Sequence, residues 1–191
     1  MRCPVLQSSD NNQAFHKTTN RDNDSQNDFT CSFASKGGNL MGTQSQHVRD
    51  FEPTIIAFTC TWCGYPSAVL AGVNRIEYPP GVRIVRLMCS GMVDPSYIIK
   101  AFECGVDGVI IVGCLMDNCH YMVGNKRAQE RVDILHNLLE MTGLGSKRLR
   151  TEWLNASERV RFAQVMNEFS QELKRLGPNP MRTSELRGVV Q

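Results

Sequence analysis

The segment "TIIAF" (residues 54–58) is a continuous apolar run, and the two-thiol motif "CTWC" (residues 60–63) follows it after a single residue. A continuous apolar run of this length is typical of a central strand in a parallel sheet, because helices cover both faces of such a strand. A second run of the same kind lies at residues 109–112. The two runs predict the two central strands of a parallel sheet.

Two further segments complete the predicted sheet. "VRIVRL" (residues 82–87) and "LRTEW" (residues 149–153) interleave polar with apolar residues, which suits edge strands. Helical segments separate the four strands, and this alternation predicts an α/β fold with an open four-stranded parallel sheet and helices on both faces. With strands 1 and 3 central, the order is 2-1-3-4, which is flavodoxin-like in its first three strands.

The helices between the strands have recognisable ends. Asp94 and Pro95 predict an N-cap followed by proline at the first helical position, and Gly105 predicts the stop of that helix. Another helix is predicted at about residues 126–141, where apolar residues recur on one face. The last helix is predicted to begin at Asn155, in a sequence close to a capping box, and to end at Gly177.

The two ends of the chain differ from the middle. Residues 1–50 contain the mostly polar run "SSDNNQAFHKTTNRDNDSQNDFT", which cannot bury enough apolar surface to offset the entropy of ordering. We also hypothesise that translation starts at Met41, and N-terminal sequencing that began at Met1 would exclude this. The predicted organisation is a disordered N-terminal extension at 1–50, one domain at 51–178 and a mobile C-terminal tail at 179–191.

Composition excludes several classes of partner. The chain has 191 residues, 41% of them hydrophobic and 21% charged, with a net charge of +2. So small a charge does not indicate a nucleic-acid partner. No apolar run approaches the roughly 18–20 residues of a membrane span, and none follows a basic N-terminus as in a secretory signal. The sequence therefore predicts a cytoplasmic protein without a membrane span.

Eight cysteines are many for a chain without a secretory signal, and six of them lie between positions 60 and 119. Five of the six follow predicted strands, at the carboxyl ends where open α/β sheets bind their ligands. The exception is Cys104, near a helix end, where we expect a buried apolar role. The five that we expect to converge are Cys60, Cys63, Cys89, Cys114 and Cys119.

Three kinds of thiol chemistry are compatible with these residues. A lone C-x2-C motif occurs in dithiol oxidoreductases, zinc sites and iron–sulfur sites. A dithiol oxidoreductase leaves three of the five thiols unexplained, and a domain of this size does not need zinc to fold. A 2Fe–2S cluster takes four thiolates, which the pairs Cys60/Cys63 and Cys114/Cys119 can supply. The residues favour iron–sulfur chemistry, but a zinc-binding interaction module and a dithiol–disulfide oxidoreductase stay open.

Three segments resemble a known family. "CTWCGYPSAVLAGVNRIEYPPGVRIVRLMCSGMVDP", "GVIIVGCLMDNCHYMVGNKRAQERVDILHNLL" and "RLRTEWLNASERVRFAQVMNEF" are similar to the methyl-viologen-reducing hydrogenase delta subunit, which occurs in methanogens and other anaerobes. The resemblance covers about residues 54–178 and implies one 2Fe–2S cluster, with Cys60 and Cys63 on one iron. One departure is Leu115-Met116 after Cys114, where family members often have His-Pro; we expect it to change loop shape but not ligand number.

The resemblance also implies a role. Members of this family relay electrons from hydrogenase or formate dehydrogenase subunits to a flavoprotein that resembles the A subunit of heterodisulfide reductase, in anaerobic energy metabolism such as methanogenesis. The module is sometimes fused to that flavoprotein. An electron-transfer subunit of this kind has no substrate chemistry of its own, and the sequence shows no Ser–His–Asp pattern or paired carboxylates that would supply it.

The strand order favours four of the five thiols. The loops after strands 1 and 3 flank the ligand crevice, so Cys60, Cys63, Cys114 and Cys119 are the predicted metal ligands. Cys89 follows strand 2, one strand or about 4.8 Å further out, and is the reserve ligand.

Residues beside the thiols have predicted supporting roles. The N–H groups of Gly64 and Gly91 are expected to hydrogen-bond thiolates. We expect His120 to lie beside the site without binding metal, and Trp62 either to shield the site or to pack against a helix. The basic stretch "NKRAQER" (residues 125–131) is expected to be a solvated helix face.

Overall fold

The computed structural model describes residues 51–182, in which four strands alternate with four helices. Short 3-10 turns at Ser90–Met92, Ser146–Arg148 and Pro180–Arg182 lie outside this alternation. The elements in chain order are β1 (Ile55–Cys60), α1 (Gly64–Val73), β2 (Val82–Leu87), α2 (Pro95–Glu103), β3 (Gly108–Cys114), α3 (Gly124–Met141), β4 (Leu149–Leu154) and α4 (Arg159–Leu176).

The sheet confirms the predicted topology. All strand pairs are parallel, and the order is β2-β1-β3-β4. β1 and β3 are central, as their continuous apolar sequences predict, and the mixed strands β2 and β4 lie at the edges. In β1, Ile55 pairs with both Val82 and Gly108, so the three strands run in step and end at the same edge.

Each face of the sheet carries its own layer of helices. Alternate residues of β3 point to opposite faces, so Ile110 and Val112 join one core while Val109 and Ile111 join the other. The first core is completed by α1 and α4, and the second by α2 and α3. Burial on both faces explains why the central strands are apolar throughout.

The ends of the helices agree with prediction except at one. Asp94 accepts a hydrogen bond from the Ser96 N–H and Pro95 opens α2, while Gly105 follows the helix with φ of 80°. The prediction for α4 was wrong by four residues, since this helix begins at Arg159. Asn155 and the two residues after it form a turn instead, in which the Asn155 N–H donates to the Glu158 carboxylate, as in half of a capping box.

At the amino ends of the strands, a buried polar network fastens the segment after α4. The Asp107 carboxylate accepts from the Thr54 and Asn179 N–H groups and from the Arg182 guanidinium. The Asn179 side chain donates to the Phe102 carbonyl at 2.9 Å and the Val106 carbonyl at 2.7 Å, and is itself buried. Residues 179–182, which we assigned to the mobile tail, are thus packed against the domain.

The other predictions about the chain ends lie outside the described residues. They are the disordered extension at 1–50 and the remainder of the tail at 183–191. Within residues 51–182, no helix combines the length and the apolar character that crossing a membrane would require.

The Asn179 network generates a stability prediction. Asn179→Ala removes the donor to the buried Val106 carbonyl and one of two donors to the Phe102 carbonyl, which keeps the Gly105 N–H, so the free energy of unfolding should fall by about 1–3 kcal/mol. Urea denaturation followed by circular dichroism measures it. Asn167→Ala is the control, because that amide also bonds backbone carbonyls but is exposed, and should change stability by about 0.5 kcal/mol. Equal losses in the two variants would contradict this explanation.

Candidate metal centre

All five predicted thiols lie at the carboxyl edge of the sheet. Cys60 is the last residue of β1 and Cys114 the last residue of β3, while Cys63 immediately precedes α1. Cys89 opens the 3-10 turn after β2, and Cys119 lies in the loop between β3 and α3. Because the strands are parallel, these turns and loops leave the sheet on the same side.

Three of the thiols form a close group. The sulfur atoms of Cys60, Cys63 and Cys114 all lie within 4.8 Å of one another, and the Cys60 and Cys114 sulfurs are 3.6 Å apart. Cys60 and Cys114 are buried, whereas Cys63 is partly exposed. Within the described residues, the one group of three or more possible metal ligands consists of these thiols, with no carboxylate or imidazole in it.

The other two thiols form a second group beside the first. The side chains of Cys89 and Cys119 are in hydrogen-bonding contact, and each is also close enough to a thiol of the first group to affect its charge. Cys89 directly precedes the turn Ser90–Met92, in which Gly91 lies against Gly124 at the start of α3. The sideways distance on which we ranked Cys89 as the reserve therefore does not separate it from Cys119. Which four thiols bind metal stays a prediction.

Glycine allows this second group to form where α3 begins. A Cβ atom on Gly124 would lie 2.1 Å from the Cys89 sulfur and 3.3 Å from the Cys119 sulfur. A Cβ atom on Gly91 would lie 2.8 Å from the Gly124 carbonyl oxygen. The two backbones therefore meet at a distance that no side chain permits, and this brings the turn after β2 onto the start of α3.

Backbone N–H groups point at each of the five sulfurs. Those of Cys63 and Gly64 donate to the Cys60 sulfur at 3.2 and 3.4 Å, and that of Gly91 donates to Cys89. The predicted contacts of Gly64 and Gly91 are therefore present. The remaining donors are Ala156 to Cys63, His120 to Cys114, and Tyr121, Gly124 and Asn125 to Cys119. Such donors stabilise thiolates and any anionic centre that the thiolates hold.

Without a metal, the thiols differ in acidity. Burial raises the pKa of Cys63, of Cys89 and, most strongly, of Cys114. Burial also acts to raise the pKa of Cys119, but three nearby N–H groups and the Cys89 thiol together outweigh that effect, and the pKa falls below its ordinary value. Since metals bind thiolates, metal binding here must release protons and should weaken as the pH falls.

Sequence reasoning missed two residues that hold the loops. Asn125 is buried. Its side-chain amide donates to the carbonyls of Cys114 and Leu115, and its backbone N–H lies beside the Cys119 sulfur. Arg131 donates to the Gly91 and Val93 carbonyls and so fixes the turn that carries Cys89. Both lie in the stretch that we took for a solvated helix face. Their spacing of six residues gives no local signal of these contacts.

An aromatic stack joins the two ligand-bearing loops. The rings of Trp62 and His120 are stacked with centroids 3.6 Å apart and planes at 18°, and Tyr121 meets both rings edge-on. Trp62 is 41% exposed and contacts the rings of the loop after β3, so it does not pack in a helix interface. The His120 ring, stacked in this way, agrees with the expectation that it lies beside the thiols.

The donor set suits a thiophilic metal centre. Thiolate-only sites select zinc, copper(I) or iron–sulfur clusters, whereas magnesium, calcium and manganese prefer oxygen ligands. The five thiols, their N–H donors and the burial of Cys60 and Cys114 fit a 2Fe–2S cluster, and they fit a zinc ion as well.

Comparison with known proteins identifies related sequences. The family model described as the methyl-viologen-reducing hydrogenase delta subunit matches residues 55–177. The A subunit of the ferredoxin/F(420)H(2)-dependent CoB–CoM heterodisulfide reductase of Methanosarcina acetivorans is 48% identical over 126 residues, which are 66% of this chain but 16% of that protein. The corresponding heterodisulfide reductase protein of Methanosarcina mazei is 44% identical, again over 16% of its length.

Shorter relatives match over nearly their whole length. The iron–sulfur D subunit of the vhc F(420)-non-reducing hydrogenase of Methanococcus voltae is 46% identical over 130 residues, 68% of this chain and 90% of the relative. The corresponding hydrogenase iron–sulfur protein of Archaeoglobus profundus is 45% identical over 130 residues, 68% of this chain and 95% of the relative.

The close approach at Gly124 generates a prediction for metal binding. In Gly124→Ala the new methyl group must displace the Cys89 sulfur and crowd the sulfur of Cys119, a predicted ligand, so the affinity of the metal-free protein for Cd²⁺ should fall about 10- to 100-fold, as for other changes around metal ligands. The thiolate-to-cadmium charge-transfer absorbance, titrated anaerobically, measures this affinity. Gly72→Ala is the control, because a Cβ atom there meets nothing within 4 Å in α1. Unchanged affinity in Gly124→Ala would contradict the geometry.

Proposed function

The chain belongs to the family of methyl-viologen-reducing hydrogenase delta subunits, and on that premise we propose that it is an electron-transfer subunit whose cysteines hold a 2Fe–2S cluster. The observation that carries the proposal is the convergence of five thiols, each with a backbone N–H group beside it, at one edge of the sheet. When bound, a 2Fe–2S cluster supplies one-electron transfer.

The arrangement of thiols supports a centre with two metal ions. A single tetrahedral zinc ion holds four thiolates at about 2.3 Å, all equally close to one point. Here the thiols fall into a group of three, Cys60, Cys63 and Cys114, and an adjoining group of two, Cys89 and Cys119. The four proposed ligands, three from the first group and Cys119 from the second, are spread over both groups, as a centre with two neighbouring iron ions allows.

The same features argue against a dithiol oxidoreductase that uses the C-x2-C motif. Such enzymes expose an attacking thiol and lower its pKa. In this chain Cys60 is 1% exposed, and burial raises the pKa of Cys63. The sulfur that Cys60 approaches at 3.6 Å belongs to Cys114, not to its partner in the C-x2-C motif. A disulfide exchange between Cys60 and Cys63 would leave that contact and three further thiols unused.

The protein's own residues prepare the site for a charged centre. The N–H donors on all five sulfurs stabilise negative charge without any movement of side chains. Burial of Cys60 and Cys114 and the stack of Trp62 on His120 restrict access of water. The binding residues that we propose are Cys60, Cys63, Cys114 and Cys119, with Cys89 as the fifth thiol.

The relatives support the choice of partners. Some are named as iron–sulfur subunits of hydrogenases and others as subunits of heterodisulfide reductase, and the chain spans 16% of the latter. We propose that this chain accepts electrons from hydrogenase or formate dehydrogenase subunits and passes them to a flavoprotein like the A subunit of heterodisulfide reductase, in anaerobic energy metabolism. We call this acceptor the flavoprotein partner. A zinc-binding interaction module is the alternative that the donor set also fits.

Single Cys→Ser variants test the ligand assignment. Replacing Cys60, Cys63, Cys114 or Cys119 should remove most of the iron and the paramagnetic signal of the reduced protein, because serine replaces a proposed ligand. Cys89→Ser should retain both. Iron analysis and electron paramagnetic resonance on anaerobically purified protein make the comparison. If Cys89→Ser loses the iron while Cys119→Ser keeps it, the assignment of these two neighbours is reversed.

Electron transfer itself is tested with defined partners. The reduced, iron-loaded chain should reduce the flavoprotein partner of the same organism in stopped-flow mixing, seen as bleaching of flavin absorbance. The chain alone should neither oxidise hydrogen nor reduce a disulfide, because it offers no substrate-activating residues. Turnover of either substrate by the isolated chain, or an iron-loaded chain that leaves the flavin oxidised, would overturn the proposed role.

A further inference from the structure

Large apolar side chains are exposed around the cysteine edge. Met122 is 81% exposed, and Met92 is 56% exposed. A surface of this kind, rich in methionine and aromatic residues, is typical of protein contact sites, because methionine adapts to the opposing surface and aromatic rings bury a large area. We call it the cysteine-edge patch, and its members are Trp62, Met88, Met92, Met116, Tyr121 and Met122.

Contacts between the loops make the patch continuous. The Met88 sulfur lies 3.9 Å from the Thr61 hydroxyl, next to Trp62, whose ring stacks on His120 and meets Tyr121. On the other side, the close approach of Gly91 to Gly124 brings the turn that contains Met92 against the start of α3, next to the loop of Met122. The exposed side chains therefore lie on the same loops that carry the thiols.

The backbone presents Met122 outward at a conformational cost. Met122 has φ of 66°, in the left-handed region that residues with a side chain rarely adopt. Its N–H is bonded to the Cys119 carbonyl, so the loop that donates N–H groups to the Cys119 sulfur also fixes this exposed methionine. Strained backbone at such a place is a mark of functional sites.

Charges beside the patch are three cations, Arg86, Lys126 and Arg127, and two carboxylates, Asp94 and Asp117. Arg86 is exposed, lies over the Tyr65 ring and bonds Thr61, and Arg127 is exposed in the first turn of α3. Lys126 is paired with Asp117. An apolar centre with a cationic border fits a partner that offers an apolar surface with acidic residues around it.

We propose that the cysteine-edge patch is the surface on which the flavoprotein partner docks. This inference rests on the proposed function and adds to it the place of contact. The sheet lies behind the thiols and α1 and α3 start beside them, so the patch offers the flavoprotein partner an approach to the thiols. In the heterodisulfide reductase relatives, the segment that matches this chain is 16% of a longer chain. In those proteins the rest of the subunit is therefore covalently joined to the matching segment.

The two ends of α3 provide a matched pair of variants. Met122 precedes α3 at the cysteine edge, and Met141 is the last residue of that helix, at the opposite edge, with 86% exposure. Met122→Glu should weaken binding of the flavoprotein partner about tenfold or more, because it places a carboxylate in an apolar contact facing acidic residues. Met141→Glu adds the same charge elsewhere and should leave binding unchanged.

Biolayer interferometry with the iron-loaded full chain and the flavoprotein partner of the same organism measures the two affinities. Met92→Glu is a second patch variant that does not alter the loop after Cys119, and it should weaken binding as well. Equal binding by the patch variants and Met141→Glu, or equal losses in all three, would overturn the proposal.

Photo-crosslinking identifies what covers the patch. Benzoylphenylalanine at position 122 should crosslink to the flavoprotein partner, and at position 141 it should not. Crosslinks at position 122 to a second copy of this chain would overturn the proposal in favour of self-association. Iron is measured in the same samples. A chain without iron that still docks through Met122 would refute the proposed cluster but not the docking site. An iron-loaded chain that docks through another surface would refute the docking site but not the cluster.

Discussion

Parallel pairing of β1 with both β2 and β3 is the constraint on which the site depends. The three strands run in step, with Ile55 beside Val82 and Gly108, so their carboxyl ends reach the same edge together. Thiols that are up to 59 positions apart in sequence, from Cys60 to Cys119, are thereby brought into one place. An antiparallel pairing of any of these strands would send one of the cysteine loops to the opposite edge.

Convergence of the strands is not sufficient, because the loops must also be held closed. Glycine at positions 91 and 124 lets the turn after β2 meet the start of α3, where a side chain would collide with a carbonyl or with sulfur. Asn125 and Arg131 bond carbonyls of the ligand-bearing loops, and Trp62 stacked on His120 joins two of the loops from outside. The result is a site in which N–H dipoles and sulfurs are fixed before any ligand arrives, as a centre that changes only its charge requires.

Much of this could be predicted from the sequence. Continuous apolar runs identified the central strands, mixed runs identified the edges, and Asp94-Pro95, Gly105 and Gly177 marked helix ends, because each of these signals is local. Signals that depend on tertiary contact were missed. Nothing near Asn179 indicates that its amide reaches Phe102 and Val106, and nothing near Cys89 indicates that Gly91 packs against Gly124. The choice among metals is likewise outside local sequence patterns, since zinc and iron–sulfur centres use the same thiolates.

The most direct test of the central claim is the metal and sulfide content of the full chain, purified anaerobically from the organism that makes it, together with its electron paramagnetic resonance spectrum before and after reduction. We predict brown protein with about two iron ions and about two acid-labile sulfides per chain, silent when oxidised and paramagnetic when reduced by one electron. Colourless protein with about one zinc ion and no sulfide, or metal-free protein with a reversible disulfide, would contradict the claim.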